Sequence, residues 1–481
     1  MKIILAGFNI DYNLLEKLRG GSVPLTPETV SAAYARISRD PRPITELRKD
    51  ALEDVVRARK SNTNIVFGLG HSSVAEHAVF NFDLIGISRL AAEAIESHRL
   101  NSYTEKSQRY IKLNKDYIVP EEVEEAGLAD EFREMVNAQF NAYSRLFDRL
   151  HPFFIKKSGV SADNKKESIR VEGMAKEDAR YALPLATTSQ LGMTINARNL
   201  EYLIQRLAGD PLAENRAVSS ALHAYASEIA PSLVKYVEPK KQFDRSFIEM
   251  GVSSGLNVNV ADDPVKLIKY DPEAEARVIA AMETGSLQSY ETAFRRAAEM
   301  KQEERLEFFR NKLSGLSQWD RVPREFEIAD FTFELIISAS CFAQLKRHRM
   351  ATIISYNYNP SLGITIPESI KETNSENLLE EAVEKSEEFY NKMKDVSYPA
   401  AAYALTNAHR RRVLMKMNAR ELYHFSRLRE DKHSQWDIRY ISCRVMDKLR
   451  EIMPALFLLS CGKDKFPGLL ETIYPDDKRQ E

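Results

Sequence analysis

Long apolar runs are missing from this 481-residue chain: none approaches the ~18 residues that a membrane-crossing helix needs. Cysteine is scarce too. Cys341, Cys443 and Cys461 are the only three, all in the C-terminal half, and their spacing offers neither a metal-ligand set nor a disulfide framework. A reducing, cytoplasmic compartment and no bound metal are therefore expected. Nor is there an excess of one charge. The 68 Lys and Arg nearly balance the 70 Asp and Glu, so no global basic field recruits nucleic acid. The opening MKIILAGFNIDYNLL has one lysine and a short apolar run before acidic and polar residues, which reads as a first strand and not as a signal peptide. What is present, 43% hydrophobic and 29% charged residues, is the composition of a globular protein. The length exceeds what one core usually serves, so two domains are expected.

Residues 98–110, HRLNSYTEKSQRY, gather groups suited to a phosphorylated, planar, polar ligand. Arg99 and Arg109 offer guanidinium forks that match phosphate bidentately. Ser102, Thr104 and Ser107 add hydroxyls, and Glu105 adds an acceptor for a base or sugar edge. The segment follows an Ala-rich helical run from Arg89 to Glu96, so these groups sit where a helix gives way to a loop.

The chain also repeats itself. Phe80, Phe82 and Leu84 alternate as a strand with one buried face, and Phe331, Phe333 and Leu335 do the same. Each strand leads into an Ala-rich helix, the second ending in Arg347-His348-Arg349. A second block, Arg180-Tyr181-Ala182-Leu183-Pro184, is echoed by Ala402-Tyr403-Ala404-Leu405-Thr406. Sixteen residues separate Arg180 from Asn196 and Ala402 from Asn418, where Asn-Ala-Arg opens a helical segment in both halves. The first half carries about 28 more residues between His98 and Asn196 than the second between His348 and Asn418. Lys156 to Lys176, polar and charged, reads as a solvated surface insertion. The expected division is 1–240, a linker at 241–263, and 264–481, where VKLIKYDPEAEARVIAAM restarts a strand-then-helix pattern.

Near the C-terminus Leu422, Phe425, Ile438, Ile441, Val445 and Leu449 form an apolar stripe that predicts one long helix. Arg420 and His424 are four apart, as are Arg429 and His433, so each pair shares a face of that helix. By spacing alone these pairs read as a solvated basic face. The run from His409 to Arg412 reads as surface charge.

The stretch from His98 to Tyr110 resembles the signature of the flavin-dependent thymidylate synthases, Arg-His-Arg-x-x-Ser-x-Asn-Glu-x-Ser-x-Arg-Tyr. It keeps His98, Arg99, Ser102, Glu105, Ser107, Arg109 and Tyr110, and departs at Ser97 and Thr104. The resemblance covers most of both halves. It implies an α/β (α+β) chain with two tandem copies of that family's fold, each a twisted, mainly antiparallel sheet packed with helices. It also implies a site assembled where subunits of a homotetramer meet, each subunit giving a different set of residues.

The two halves are damaged in complementary ways. The first keeps Glu105, Lys106, Ser107, Gln108, Arg109 and Arg180, but has Ala94 for the family's Gln and Ser97 for its Arg, with Arg206 one position out of register. The second keeps Gln344, Arg347, His348, Arg349, Asn418, Arg420 and Arg429, but has Asn357 and Asn359 for Ser and Arg, and Ala402 for the Arg of its block. Losses in one half fall on functions kept by the other, which predicts one composite site per pair of halves. A homodimer then imitates the family's tetramer. One catalytic half beside one scaffold half is the simpler alternative.

By this resemblance the chain converts dUMP to dTMP, with methylenetetrahydrofolate giving the carbon, FAD the hydride and NADPH the electrons for the flavin. Arg109, Arg180, Ser107, Gln108, Lys106 and Glu105 would bind dUMP from the first half, and Gln344, Arg347 and Arg429 from the second. Arg429 would be the catalytic activator, stabilising negative charge on the pyrimidine. Ser107 is the other candidate catalytic residue, although no base stands beside it in sequence, and ligand binding is the preferred role. FAD would contact Ser73, Glu105, Arg347, His348, Arg349, Asn418, Arg420 and His424. Rival readings are a related flavoenzyme that methylates or hydroxymethylates another pyrimidine nucleotide, and a non-catalytic nucleotide- or flavin-binding paralogue.

Overall fold

The computed structural model describes residues 1–11, 25–37, 40–113, 115–159, 164–239 and 263–475. Apart from Asp263, the expected linker lies outside the described residues. Two four-stranded antiparallel sheets carry the fold. The first comprises β1 (Lys2–Phe8), β2 (Val79–Ser88), β3 (Ser102–Glu105) and β4 (Thr188–Asn196), in the order β1-β2-β4-β3. The second comprises β5 (Val265–Lys269), β6 (Asp330–Ser338), β7 (Thr352–Tyr358) and β8 (Arg410–Asn418), in the equivalent order β5-β6-β8-β7. The register repeats as well: Val79 faces Asn196 where β2 meets β4, and Asp330 faces Asn418 where β6 meets β8.

The alternation read from sequence decides which sheet face is covered. Phe80, Phe82 and Leu84 point into one core with Leu200, Leu203 and Leu207 of the helix Ala197–Ala208. Phe331, Phe333 and Leu335 point into another with Leu422, Phe425 and Val445. In each copy the chain leaves the second strand through a serine that caps the next helix. Ser88 Oγ accepts from Ala91 N–H at 2.9 Å and Ser338 Oγ from Cys341 N–H at 3.0 Å. Among the described residues no helix is long and apolar enough to cross a membrane.

The chain forms two compact units, and they do not coincide with its halves. The first unit holds Met1–Leu256 and Ile366–Asn407, the second Asn257–Thr365 and Ala408–Glu481. Within the first unit the helix Glu376–Met393 lies along the helix Ala129–Ser158, with the Phe132 and Phe389 ring centroids 5.2 Å apart. Gln139 Nε2 donates to Ser386 Oγ and to the Ala404 carbonyl. The duplicated blocks meet here. Leu185 N–H donates to Leu405 O at 2.8 Å, and Asn407 N–H donates to Leu183 O at 2.9 Å. Counted from Arg180 and Ala402, Leu183 matches Leu405 and Leu185 matches Asn407. The two bonds therefore exchange with each other when the copies are exchanged, the signature of an isologous, two-fold contact drawn inside one chain.

Three sequence expectations need correction. Lys156–Lys176 is not simply a solvated insertion: the helix Lys165–Ala179 buries Val171, Ala175 and Lys176, and Lys176 Nζ donates to the Tyr110 carbonyl at 3.2 Å. Hydrophilic composition hid it because the Lys176 stem packs while its ammonium finds an acceptor. The basic run at 409–412 is not all surface charge either. β8 starts there, so alternation turns Arg411 inward, 4.5 Å from the Phe342 ring centroid and 4.2 Å from that of Tyr358. His409 is fully buried. Finally, the long C-terminal helix is two helices, Ala419–Arg429 and Trp436–Ile452, the second capped by Gln435 Oε1 on Ile438 N–H at 3.1 Å. Arg429 and His433 consequently share no helix face. His433 lies in the turn, where its Nδ1 meets Asp431 at 2.8 Å.

Candidate active site

In the second unit a cavity of about 570 Å³ opens beside the start of the helix Ala419–Arg429. It collects Arg347, His348, Arg349, Asn418, Arg420, His424 and Arg429, seven of the residues expected to hold flavin or nucleotide. Asn418 is there because it caps that helix, its Oδ1 accepting from Glu421 N–H at 2.8 Å. Arg420, His424 and Arg429 then follow along the helix, and the turn after the helix Ala339–Leu345 delivers 347–349.

At the back of this cavity the side chains are locked together. Arg429 Nη2 donates to the Gln344 carbonyl at 3.0 Å and Nη1 to Gln344 Oε1 at 3.3 Å. Arg429 Nε donates to His348 Nε2 at 3.0 Å, and His348 Nδ1 meets Glu421 Oε1 at 3.1 Å. A guanidinium can only donate, so His348 Nε2 presents a lone pair and Nδ1 carries the hydrogen toward Glu421. Glu421 thereby sets the tautomer of His348, which sets the angle of Arg429. Gln344 holds the other edge of the fork, giving a preorganised cation at the cavity wall. Arg420 is held separately, by Glu327 Oε1 at 3.0 Å and the Val322 carbonyl at 2.9 Å. Burial keeps His424 below its ordinary pKa, although Glu421 pulls the other way. Arg and Lys supply seven cations around the cavity, against three carboxylates from Asp320, Glu327 and Glu421. That excess suits an anionic ligand, and the volume lies in the range of cofactor and drug-sized sites.

The first unit assembles a smaller, deeper cluster from Ser107, Gln108, Arg109 and Arg180. Ser107 Oγ accepts from Arg109 N–H at 3.1 Å, which closes the turn after β3. Arg109 forms an ion pair with Glu177. Arg180, 4% exposed, donates from Nε to the Glu177 carbonyl at 3.2 Å and keeps one buried terminal nitrogen without a partner among the described residues. Burial lowers its proton affinity, and the nearby Arg89 and Arg109 charges act in the same sense. An arriving anion would relieve both effects. Asn407 from the second repeat block donates to Gln108 Oε1 at 3.1 Å and to the Arg180 carbonyl at 3.0 Å. Lys106 continues the β3–β4 pairing through its N–H to Gln190 O.

Two expected ligands stand apart from that cluster. Glu105 is turned inward, its carboxylate 2.7 Å from Arg89 and 3.3 Å from Ser189 Oγ. Ser73 lines a separate cavity of about 440 Å³ with Tyr34, His71, Glu76 and His77. Sequence reading missed Glu421, Glu177, Asn407 and the Trp319 and Lys463 side chains at the cavity mouth. Only Glu421 carried a local signal, as the third residue after a capping Asn.

The first unit's own version of the second unit's cavity has been rebuilt. Tyr202 stands at the helix position matching His424 and meets His98 at a ring-centroid distance of 4.9 Å. Leu207 stands where Arg429 does and packs in the core, while Arg206 lies over Tyr202. Burial, helped by the Arg206 charge, lowers the His98 pKa from 6.5 to about 4. A folded state with the lower pKa binds fewer protons than the unfolded chain in that window, so stability is lost as pH falls from 6.5 toward 4. His98→Gln should flatten this part of the Tm-against-pH curve. Parallel curves for variant and parent would show that His98 is not the sensor.

Comparison with known proteins places these observations in context. A family model described as "Thymidylate synthase complementing protein" (Thy1) matches residues 23–232 and again 266–455. A UPF0159 protein from Thermoplasma acidophilum is 24% identical over 466 residues, covering 88% of this chain and 92% of its own length. The flavin-dependent thymidylate synthase of Clostridium tetani is 30% identical over 216 residues, covering 44% of this chain and 83% of its own. Among solved structures, Helicobacter pylori ThyX complexed with FAD and dUMP is similar at 17% identity and a TM-score of 0.31, covering 49% of this chain and all of that one.

Proposed function

We propose, on the premise that this chain belongs to the Thy1 family of thymidylate synthase complementing proteins, that it is a flavin-dependent thymidylate synthase methylating dUMP to dTMP. FAD, NADPH and methylenetetrahydrofolate are its cofactor and co-substrates. The observation that carries this reading is the Gln344–Arg429–His348–Glu421 chain at the wall of a strongly basic cavity. Bound flavin supplies the hydride. The protein's residues bind, orient and polarise.

Arg429, fixed on both edges, stabilises the negative charge that grows on the pyrimidine as it accepts hydride. Arg347 and Arg349, exposed on either side of buried His348, reach outward toward nucleotide and flavin phosphates. The Asn418 amide is left to face the cavity, its oxygen being committed to the helix cap. Arg109, Arg180, Ser107 and Gln108 bind the 5′-phosphate, the anion replacing Glu177 as the partner of Arg109. Ser107 serves as a donor. Its hydroxyl closes a backbone turn, a poor arrangement for a nucleophile.

Each copy keeps one of these sets and has lost the other. The proposal is therefore a composite site, with the phosphate set of one copy serving the cation set of another in a homodimer. The test is direct. Flavin on the purified chain, reduced with NADPH under anaerobic conditions, should be reoxidised on adding dUMP with methylenetetrahydrofolate, with dTMP formed in proportion. Reoxidation by UMP instead would identify another pyrimidine methylase. Binding of dUMP with no turnover would identify a non-catalytic paralogue.

A further inference from the structure

Trp319 is the feature of the second unit's cavity that the proposed function leaves unused. It lines the cavity and is 71% exposed, so its ring is open to a ligand that enters there. It is not loosely held. Ser317 N–H donates to Asp320 Oδ2 at 2.8 Å, Asp320 N–H returns to the Ser317 carbonyl at 3.2 Å, and Trp319 N–H donates to Ser317 Oγ at 3.3 Å. This tight turn presents the ring at its tip.

Lys463 Nζ stands 5.2 Å from the ring centroid. It is delivered there by a close approach of two backbones. Lys463 N–H donates to the Arg427 carbonyl at 3.1 Å, and a Cβ on Gly462 would lie 2.8 Å from the backbone of Glu430 and Asp431. Only glycine permits that contact. Arg321, exposed on the same rim, has no ion pair or hydrogen bond among the described residues. An indole, an ammonium and a guanidinium thus share one lip. Trp319 lies ten residues before Ala329, and the residue ten before its counterpart Ala78 in the first unit is Gly68.

We propose that Trp319 and Lys463 form a stacking-and-anion subsite at the mouth of this cavity, taking a fused heteroaromatic ring that carries an acidic substituent. The indole covers the ring face, and Lys463 with Arg321 meets the anion. The inference rests on the proposed function and deepens it. Two ligands of that reaction have this chemistry, the flavin dinucleotide and the folate, and the experiment separates them.

Dissociation constants are measured by calorimetry on the full chain: FAD with flavin-free protein, and 5-formyltetrahydrofolate with FAD-loaded protein. Trp319→Ala should weaken one of the two by roughly tenfold or more, while Trp319→Phe, which keeps a ring, retains most of the affinity. Lys463→Ala should weaken the same ligand, and dUMP affinity should stay unchanged in all three. If flavin is the ligand, Trp319→Ala should also brighten the bound flavin's emission, since a stacked indole quenches it. Parent-like affinities for both ligands in Trp319→Ala would overturn the subsite while leaving the function standing. A parent chain that binds neither flavin nor dUMP would overturn the function and the subsite with it.

Discussion

Arg429→Ala should lower kcat for the pyrimidine nucleotide by about a hundred- to a thousandfold, the usual cost of removing one preorganised donor from a developing charge. The loss should fall on kcat more than KM, because Arg429 acts where charge appears during reaction. No neighbour can substitute. Its guanidinium is gripped on one edge by Gln344 and on the other by His348, so the cation sits at one angle. Arg429→Lys should recover little, since an ammonium cannot replace a fork fixed at three nitrogens. Steady-state kinetics with melting curves to confirm folding decides this, and near-normal kcat in Arg429→Ala would remove Arg429 from the mechanism. Arg109→Ala, at the other set, should fail through nucleotide binding. Mixing the two variants extends the test: recovered turnover places each site across two chains, and none places it within one.

The second large effect is expected at Asn407→Leu. Leucine is what the first copy has at the matching position, Leu185, so the substitution restores the repeat and should look harmless. The structure says otherwise. Asn407 is buried and its amide donates to Gln108 Oε1 and to the Arg180 carbonyl, tying down two of the expected phosphate ligands. Leucine strands both acceptors, a loss of about 1–3 kcal/mol in stability. KM for the nucleotide should rise roughly tenfold if that energy is spent holding the cradle, with kcat changed little. Equal KM values in variant and parent would reduce Asn407 to a structural role.

Much of this architecture is written locally. Alternating Phe80-x-Phe82-x-Leu84 and Phe331-x-Phe333-x-Leu335 needed only the period of a strand, and Asn196 and Asn418 could be read as opening helices. The cation cluster lies on one helix and one turn, yet its spacing alone reads as a solvated basic face, and only the family resemblance singled it out. What escaped was decided by partners far away in sequence. Nothing around Lys176 announces that the Tyr110 carbonyl awaits its ammonium, and nothing around Glu105 reveals that Arg89 takes its carboxylate. The break between Arg429 and Trp436 was hidden because an apolar stripe on two successive helices can hold the period of one.

The bonds joining Leu185 to Leu405 and Asn407 to Leu183 also constrain how such a chain can evolve. A duplicated enzyme is usually free to let one copy decay while the other works. Here each copy of the block supplies backbone hydrogen-bond partners to the other, so neither can be lost without stripping its twin of them. Their side chains are less constrained, for Leu185 and Asn407 differ at the seam itself while both backbone bonds are made.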